Sequence, residues 1–195
     1  LTVLYSALAV WMLGLAVPVT ASYIIAAVMV APALVQSGVP VAAAHMFIFY
    51  YAVLSEVSPP TALSPFAAAA ITGGNPFKTM MLTWKYTLPA FLVPFVFTLN
   101  PEGMGLLLQA DGASIAWATL TAIVAVAALA AGFGGWILRP ASMVERVTMA
   151  VAGLMLFLAD RRFDLAGLGL TAVVLLLHVV RPVARHTPSS RSMDR

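Results

Sequence analysis

The sequence predicts an all-α integral membrane protein, and three observations carry that reading. Of 195 residues, 62% are hydrophobic and only 9% charged, with a mean hydropathy of +1.00; an average soluble domain carries roughly 25% charge. The apolar runs between punctuating residues suit helices of about 20 residues, not the ten-residue alternation of an outer-membrane barrel. Finally, the segment VLSEVSPPTALSPFAAAAIT, Val53 to Thr72, sets a carboxylate, a double proline and several hydroxyls inside sequence otherwise apolar enough for lipid.

The same composition limits function. The chain has no cysteine, which excludes disulfides and thiolate metal sites. Its net charge of +3 comes from cations scattered between apolar segments and in the tail, a topogenic pattern, and no nucleic-acid partner is expected. No initiator Met or basic n-region precedes Leu1, so nothing reads as a signal peptide. The start within an apolar run leads us to expect a fragment of something longer.

Leu1 to Val35 is apolar but interrupted at Gly14 to Thr20. Each flanking run of about 15 residues reaches only some 22 Å, short of the roughly 30 Å hydrocarbon core. A re-entrant hairpin with its tip at Gly14 to Thr20 fits, with Thr20 or Ser22 capping the second arm; the alternative is one helix kinked at Pro18. Gln36 to Pro40 is a turn, with Gly38 at the C′ position and Pro40 beside the next helix start. Val41 to Glu56 makes one arm and Thr61 to Ile71 an Ala-rich second arm, suited to close packing. Between them Pro59 and Pro60 lack N–H donors and push their predecessors out of the α region, so a break is expected at Ser58-Pro59-Pro60. Gly73 to Pro76 closes the segment, and Lys78 and Lys85 lie on the first turns of a helix continuing through Phe97.

Asn100 to Gly112 is read as a loop carrying Glu102 and Asp111. Ala113 to Leu138 is an uncharged span ended by Arg139-Pro140, Ala141 to Ala159 is the next, and Asp160 to Asp164 is a tight polar turn. Leu165 to Val180 is the last span, and Arg181 to Arg195, rich in Ser, Pro and Arg, reads as a disordered tail. If Val41 to Ile71 crosses once, Lys78, Lys85, Arg139, Arg146, Arg181, Arg185, Arg191 and Arg195 share the cytoplasmic side, leaving only Arg161 and Arg162 outside. That bias is the one the positive-inside rule expects.

The chemistry concentrates at the break. Broken helices in lipid are tolerated inside protein or beside water, and in secondary transporters they bind substrate and coupling ion. Ser55, Ser58, Thr61 and Ser64 offer hydroxyl oxygens beside freed carbonyls, which suits sodium; each of them can equally bond its own helix backbone. Thr20, Ser22 and Tyr23 invite the same two readings. Glu56 reads as the only acid within an otherwise apolar segment, a proton carrier, a cation ligand, a partner for a cation elsewhere, or a solvated group in a vestibule. His45 is read as a hydrogen-bonded packing residue, since no second metal ligand lies at suitable spacing. No phosphate loop, nucleophile triad or carboxylate pair points to an enzyme.

The run GLAVPVTASYIIAAVMVAPALVQSGVPVAAAHMFIFYYAVLSEVSPPTALSPFAAAAITGGNPFKT resembles the second half of the large membrane domain of tripartite ATP-independent periplasmic (TRAP) transporters, of the fused-permease TAXI type. The carrying features are the GxxxPVTASY-like tip, the VAPALVxxGVP turn, AAHMF and the SPP break, where many relatives have TPP. WKYTLPAFLVPFVFTLNPEG continues the likeness through about Gly105, and the three further spans resemble those of long fused forms.

The resemblance implies an elevator-type secondary transporter of a bacterial or archaeal cytoplasmic (inner) membrane. It would import a small organic anion such as a carboxylate, with Na+ as the coupling ion. It also implies partners: an extracytoplasmic substrate-binding protein, the small-membrane-domain helices and the remaining permease sequence. Carried over residue by residue, the site falls on Gly14, Pro18, Thr20 and Ser22 at the tip and on Ser58, Pro59, Pro60 and Thr61 at the break. Glu56 lies outside the family pattern as a candidate for proton or ion coupling. Residues 1–105 would belong to the transport domain, 106–182 to C-terminal transmembrane helices and 183–195 to a cytoplasmic tail. The rival reading is a proton-conducting subunit of a membrane redox complex with Glu56 as relay, although such subunits string several ionisable groups through successive spans. A structural membrane anchor is the third, and both polar breaks argue against it.

Overall fold

A computed structural model describes residues 1–158 and 160–180; the tail expected at 183–195 lies outside the described residues. Among the described residues, ten α-helices are interspersed with short 3-10 turns, and no strand occurs beyond an isolated bridge between Trp136 and Pro140. The chain is an all-α membrane protein, with three helical stretches long and apolar enough to span: Pro76–Leu99, Gly112–Gly134 and Arg161–Val180.

The hairpin reading holds. Helix α1 (Thr2–Gly14) and helix α2 (Val19–Met29) pack together across the turn Leu15 to Pro18, and α3 (Ala31–Gln36) continues the second arm back along α1. Pro18 is the N-cap of α2, with extended backbone and no side-chain cap. This corrects the expected capping by Thr20 or Ser22: both lie past Pro18, which holds the N-cap position that the free N–H groups face. At Gly38, φ of +94° closes α3. The Gly38 N–H donates to Val35 O and the Val39 N–H to Leu34 O, the paired bonds of a Schellman motif.

Helix α4 (Val41–Leu54) is hydrophobic on every side, which suits a buried helix, and it packs against α1, α2, α3 and α7 (Val93–Leu99). Val10, Leu34, Ala43, Ala44, Phe47, Ile48, Tyr51, Ala52 and Phe97 form the core around it. Its alanines let neighbouring backbones approach closely, the main source of packing energy between helices in lipid. The Tyr51 hydroxyl donates to Phe91 O at 2.7 Å, tying α4 to the following span. After α4 comes a 3-10 turn, Ser55–Val57, then extended Ser58, and helix α5 (Leu63–Thr72) begins after Ala62, whose φ is +40°. The expected break is therefore present. α5 packs against α6 (Pro76–Thr87) and not along α4, so the two arms flanking the break do not fold back on each other as a hairpin.

Downstream, several boundaries differ from expectation. The helix expected through Phe97 is interrupted by a 3-10 segment, Leu88–Phe91, because Pro89 and Pro94 each remove a donor; Lys85 accordingly sits in the last turn of α6, not its first. The expected loop contains a 3-10 helix, Pro101–Leu107. Helix α8 (Gly112–Gly134) stops before Leu138 because Gly135 takes φ of +75°. A capping box between Ser142 and Glu145 starts α9 (Met143–Leu156). Helix α10 (Arg161–Val180) already includes Arg161 to Asp164, placed in a turn by sequence, since the Asp160 side chain accepts from the Arg162 N–H at 2.8 Å.

Helices α8, α9 and α10 form an up-down-up bundle whose backbones nearly touch. A Cβ at Gly153 would lie 3.0 Å from Ala125 O, and one at Gly167 3.0 Å from Ala152 O. At one end Arg146 donates to Gly132 O at 3.1 Å, Arg139 donates to His178 O, and His178 Nδ1 lies 3.3 Å from Glu145 Oε1. At the other end Trp117 Nε1 donates to Asp164 Oδ2 at 2.8 Å and Asn100 Nδ2 donates to Leu158 O at 2.7 Å. Arg139 and Arg146 thus share one end, and Arg161, Arg162, Glu102 and Asp111 the other.

Candidate functional site

Two interruptions in the helices meet in space. The first is the tip Gly14 to Pro18, opened by Pro18; the second is the break after α4. A Cβ at Gly14 would overlap the Ser55 hydroxyl, sit 2.7 Å from Ser55 Cβ and approach Ser22 Oγ to 3.4 Å. Glycine is what lets the tip lie directly on the end of α4. Ser22 and Ser55 are fully buried at this contact, and Ser58 is fully buried in the break that follows.

Their hydroxyls differ in partnership. Ser55 Oγ donates to Ala52 O at 2.6 Å and Ser58 Oγ to Leu54 O at 2.7 Å. Both therefore bond their own helix, as the alternative reading of these residues anticipated. A donating hydroxyl keeps its oxygen lone pairs, so this leaves acceptor capacity in place. Ser22 Oγ has no hydrogen-bond partner among the described residues, an exposed cost of about 1–3 kcal/mol for a buried polar group. Such a group is usually explained by an ion, water or function.

A cavity of about 270 Å³ opens at the junction, lined by Gly14 to Pro18 from the tip and by Glu56, Thr61 and Leu63 from the break. The structure thus brings together Gly14, Pro18, Thr61 and Glu56 around the cavity and sets Ser22 and Ser55 against Gly14, while Ser58 is buried in the break and does not line the cavity. Pro59 is half-buried within the break and Pro60 is exposed. Thr20 and Ser64 are exposed and do not line this cavity. The peptide between Pro59 and Pro60 is cis.

His45 accepts or donates a 3.0 Å hydrogen bond with the Tyr23 hydroxyl, holding the hairpin to α4 as a packing residue would. No group of three or more His, Cys, Asp or Glu residues is arranged for a metal among the described residues. One expectation needs correction: Glu56 is not alone, because Glu145 and Asp164 are buried acids within α9 and α10. The first caps the start of its helix and the second belongs to a charged run that reads as a turn, so neither is marked by sequence as an acid inside a span.

Ser55 is the residue whose role sequence reading understated. Its pairing with Gly14 is a tertiary contact between distant segments, and the only local signal is that both residues are small. A family model described as "Tripartite ATP-independent periplasmic transporter, DctM component" matches residues 1–103, which contain both interruptions. Neither a curated protein nor a solved structure matches the chain. With more than half of its residues matched, the chain belongs to the DctM-component family of tripartite ATP-independent periplasmic transporters.

Proposed function

We propose that this chain is the C-terminal portion of a fused TAXI-type TRAP permease, importing a small organic anion such as a carboxylate by sodium-coupled alternating access. The supporting observation is the meeting of the two interruptions at Gly14 and Ser55. Broken helix ends converging inside a membrane protein supply oxygens without covalent chemistry, the device by which secondary transporters bind ions and substrates. Ser22, Ser55, Ser58 and Thr61 are the residues that would hold sodium. The fit rests on the unpartnered Ser22 Oγ and on hydroxyl oxygens with lone pairs to spare. Bound cation would supply positive charge that couples substrate binding to the ion gradient. Glu56, which lines the junction cavity with Thr61, is the candidate for proton coupling.

The working assembly would include an extracytoplasmic substrate-binding protein, small-membrane-domain helices and further permease sequence in a bacterial or archaeal inner membrane. Residues 1–105 would move as part of the elevator, and 106–182 would pack beside it. The cation-rich end, with Arg139 and Arg146, would be cytoplasmic. A proton-conducting redox subunit is less well supported. Glu145 and His178 lie at one end of the bundle and Asp164 at the other, and among the described residues no further acid or histidine is buried between them to link the two ends.

The test is uptake by the full-length permease with its binding protein in proteoliposomes, with sodium and proton gradients imposed separately. Uptake driven by sodium alone supports the reading. Uptake driven only by protons would displace sodium in favour of Glu56, and no uptake under either gradient would overturn secondary transport.

A further inference from the structure

A second and larger cavity, about 570 Å³, lies at the opposite end of the bundle from Arg139, between the Pro101–Leu107 turn and the ends of α8, α9 and α10. We propose that it binds the head group of an aminophospholipid of the phosphatidylethanolamine class. The inference does not rest on the transport reading.

The argument begins with Asp164, only 2% exposed, which lines this cavity. Its Oδ2 accepts from Trp117 Nε1 at 2.8 Å, but its Oδ1 has no hydrogen-bond partner among the described residues. A buried carboxylate oxygen left without a donor is costly, so a donor is expected from outside the chain. Glu102 adds a second acid to the lining and Arg161 one cation, whose guanidinium carbon sits 5.0 Å from the Trp117 ring centroid. Two acids and one arginine favour a ligand that carries an ammonium and, beside it, a phosphate. The ammonium would donate to Asp164 Oδ1, and Arg161 would take the phosphate.

Position selects a lipid over a free solute. The cavity opens where α8 and α10, both long and apolar enough to span, begin, which would set it at the level of the head groups, with Trp117 where interfacial tryptophans sit. Its remaining walls include Ala118, Ala122 and Leu156, an apolar surface for glycerol and the first methylenes. Phosphatidylcholine lacks the required chemistry, because a quaternary ammonium has no N–H to offer Oδ1.

Native mass spectrometry of the full chain in detergent micelles provides the test. The probes are dihexanoyl phosphatidylethanolamine, dihexanoyl phosphatidylcholine and glycerophosphoethanolamine, which is the same head group without acyl chains. We expect one phosphatidylethanolamine to be retained about tenfold more tightly than phosphatidylcholine, as for loss of one charge-assisted hydrogen bond, and more tightly than glycerophosphoethanolamine, which keeps that bond but loses the apolar contact of the acyl chains. Asp164→Asn, which keeps an acceptor for Trp117, should erase the preference over phosphatidylcholine. Arg161→Gln alters an exposed side chain and should weaken phosphatidylethanolamine about tenfold even if the Asp164 variant fails to fold. Equal retention of the two lipids, or full retention by a folded variant of either kind, would overturn the proposal. Equal binding of glycerophosphoethanolamine would replace the lipid with a water-soluble solute.

Discussion

At the scale of single residues, Gly14 decides whether the two halves of the candidate site can touch. Gly14→Ala adds a Cβ where Ser55 already stands, so the tip must lift or α4 must shift. We expect uptake by the full-length permease to fall at least tenfold at matched surface amounts. Pairing it with Ser55→Gly, which clears both Cβ and hydroxyl, should restore part of the loss. Ser55→Ala should not, because the Ser55 Cβ alone is 2.7 Å away; equal rescue by both would mean the glycine matters for backbone freedom and not for approach. Ser22→Ala asks a different question of the same junction. Removing an unpartnered buried hydroxyl should leave thermal stability unchanged or raised, while a lost sodium ligand should raise the sodium concentration for half-maximal uptake several-fold. A stability loss with normal sodium dependence would make Ser22 a packing residue. This junction was only half legible in the sequence: Gly, Pro and hydroxyls named each tip, but nothing local says that Gly14 meets Ser55.

At the scale of elements, punctuation was legible where one residue type dictates the backbone. Pro59 and Pro60 cannot continue a helix and Gly38 readily takes positive φ, so the break and the Schellman turn fell where the residues put them. Elsewhere the signal was weaker. Arg139-Pro140 looked like the end of α8, but Gly135 ends it first, and a bridge carries the chain on to Pro140. Asp160 to Asp164 looked like a turn because charges usually mark turns, yet Asp160 bonds the N-terminal turn of α10 and Asp164 is folded inward. Function at the break depends on the opened backbone. Pro59→Ala with Pro60→Ala should let the segment close toward helix and raise the half-maximal sodium concentration more than Ser58→Ala or Thr61→Ala does alone. Unchanged sodium dependence in all three would leave the break a hinge. A helix start gives a pH prediction. The Ser114 hydroxyl, with the Ser114 and Ala113 N–H groups, holds the Asp111 carboxyl below the usual carboxylate range. Its folded value is depressed, so its contribution is full above about pH 4 and fades as pH falls through the folded value. The gap in thermal midpoint between wild type and Asp111→Ala should therefore narrow on acidification below about pH 4, and a gap constant from pH 7 to 3 would contradict the capping role.

For the whole molecule, the topology of the C-terminal bundle turns on α9 carrying the chain across the membrane. Its 14 residues reach only about 21 Å, against a hydrocarbon core of roughly 30 Å, and it is not among the helices long enough to span by themselves. Yet its two ends are pinned to opposite ends of longer neighbours. Its start is held by Arg146 to the end of α8 and by Glu145 beside His178, near the end of α10. Beyond its end, Leu158 accepts from Asn100, and Leu156 shares a cavity with Trp117 and Asp164, near the starts of α8 and α10. A helix packed tightly on both flanks by spans of 23 and 20 residues can cross while too short, because its neighbours and the flanking turns make up the mismatch. Single cysteines in this cysteine-free chain test the crossing with a membrane-impermeant thiol reagent. Gln109→Cys and Arg162→Cys should label from the same, extracytoplasmic side, and Leu138→Cys from the other; all three positions are exposed. Labelling of Arg162→Cys together with Leu138→Cys would mean that α9 turns back. The parity of the bundle would then fall.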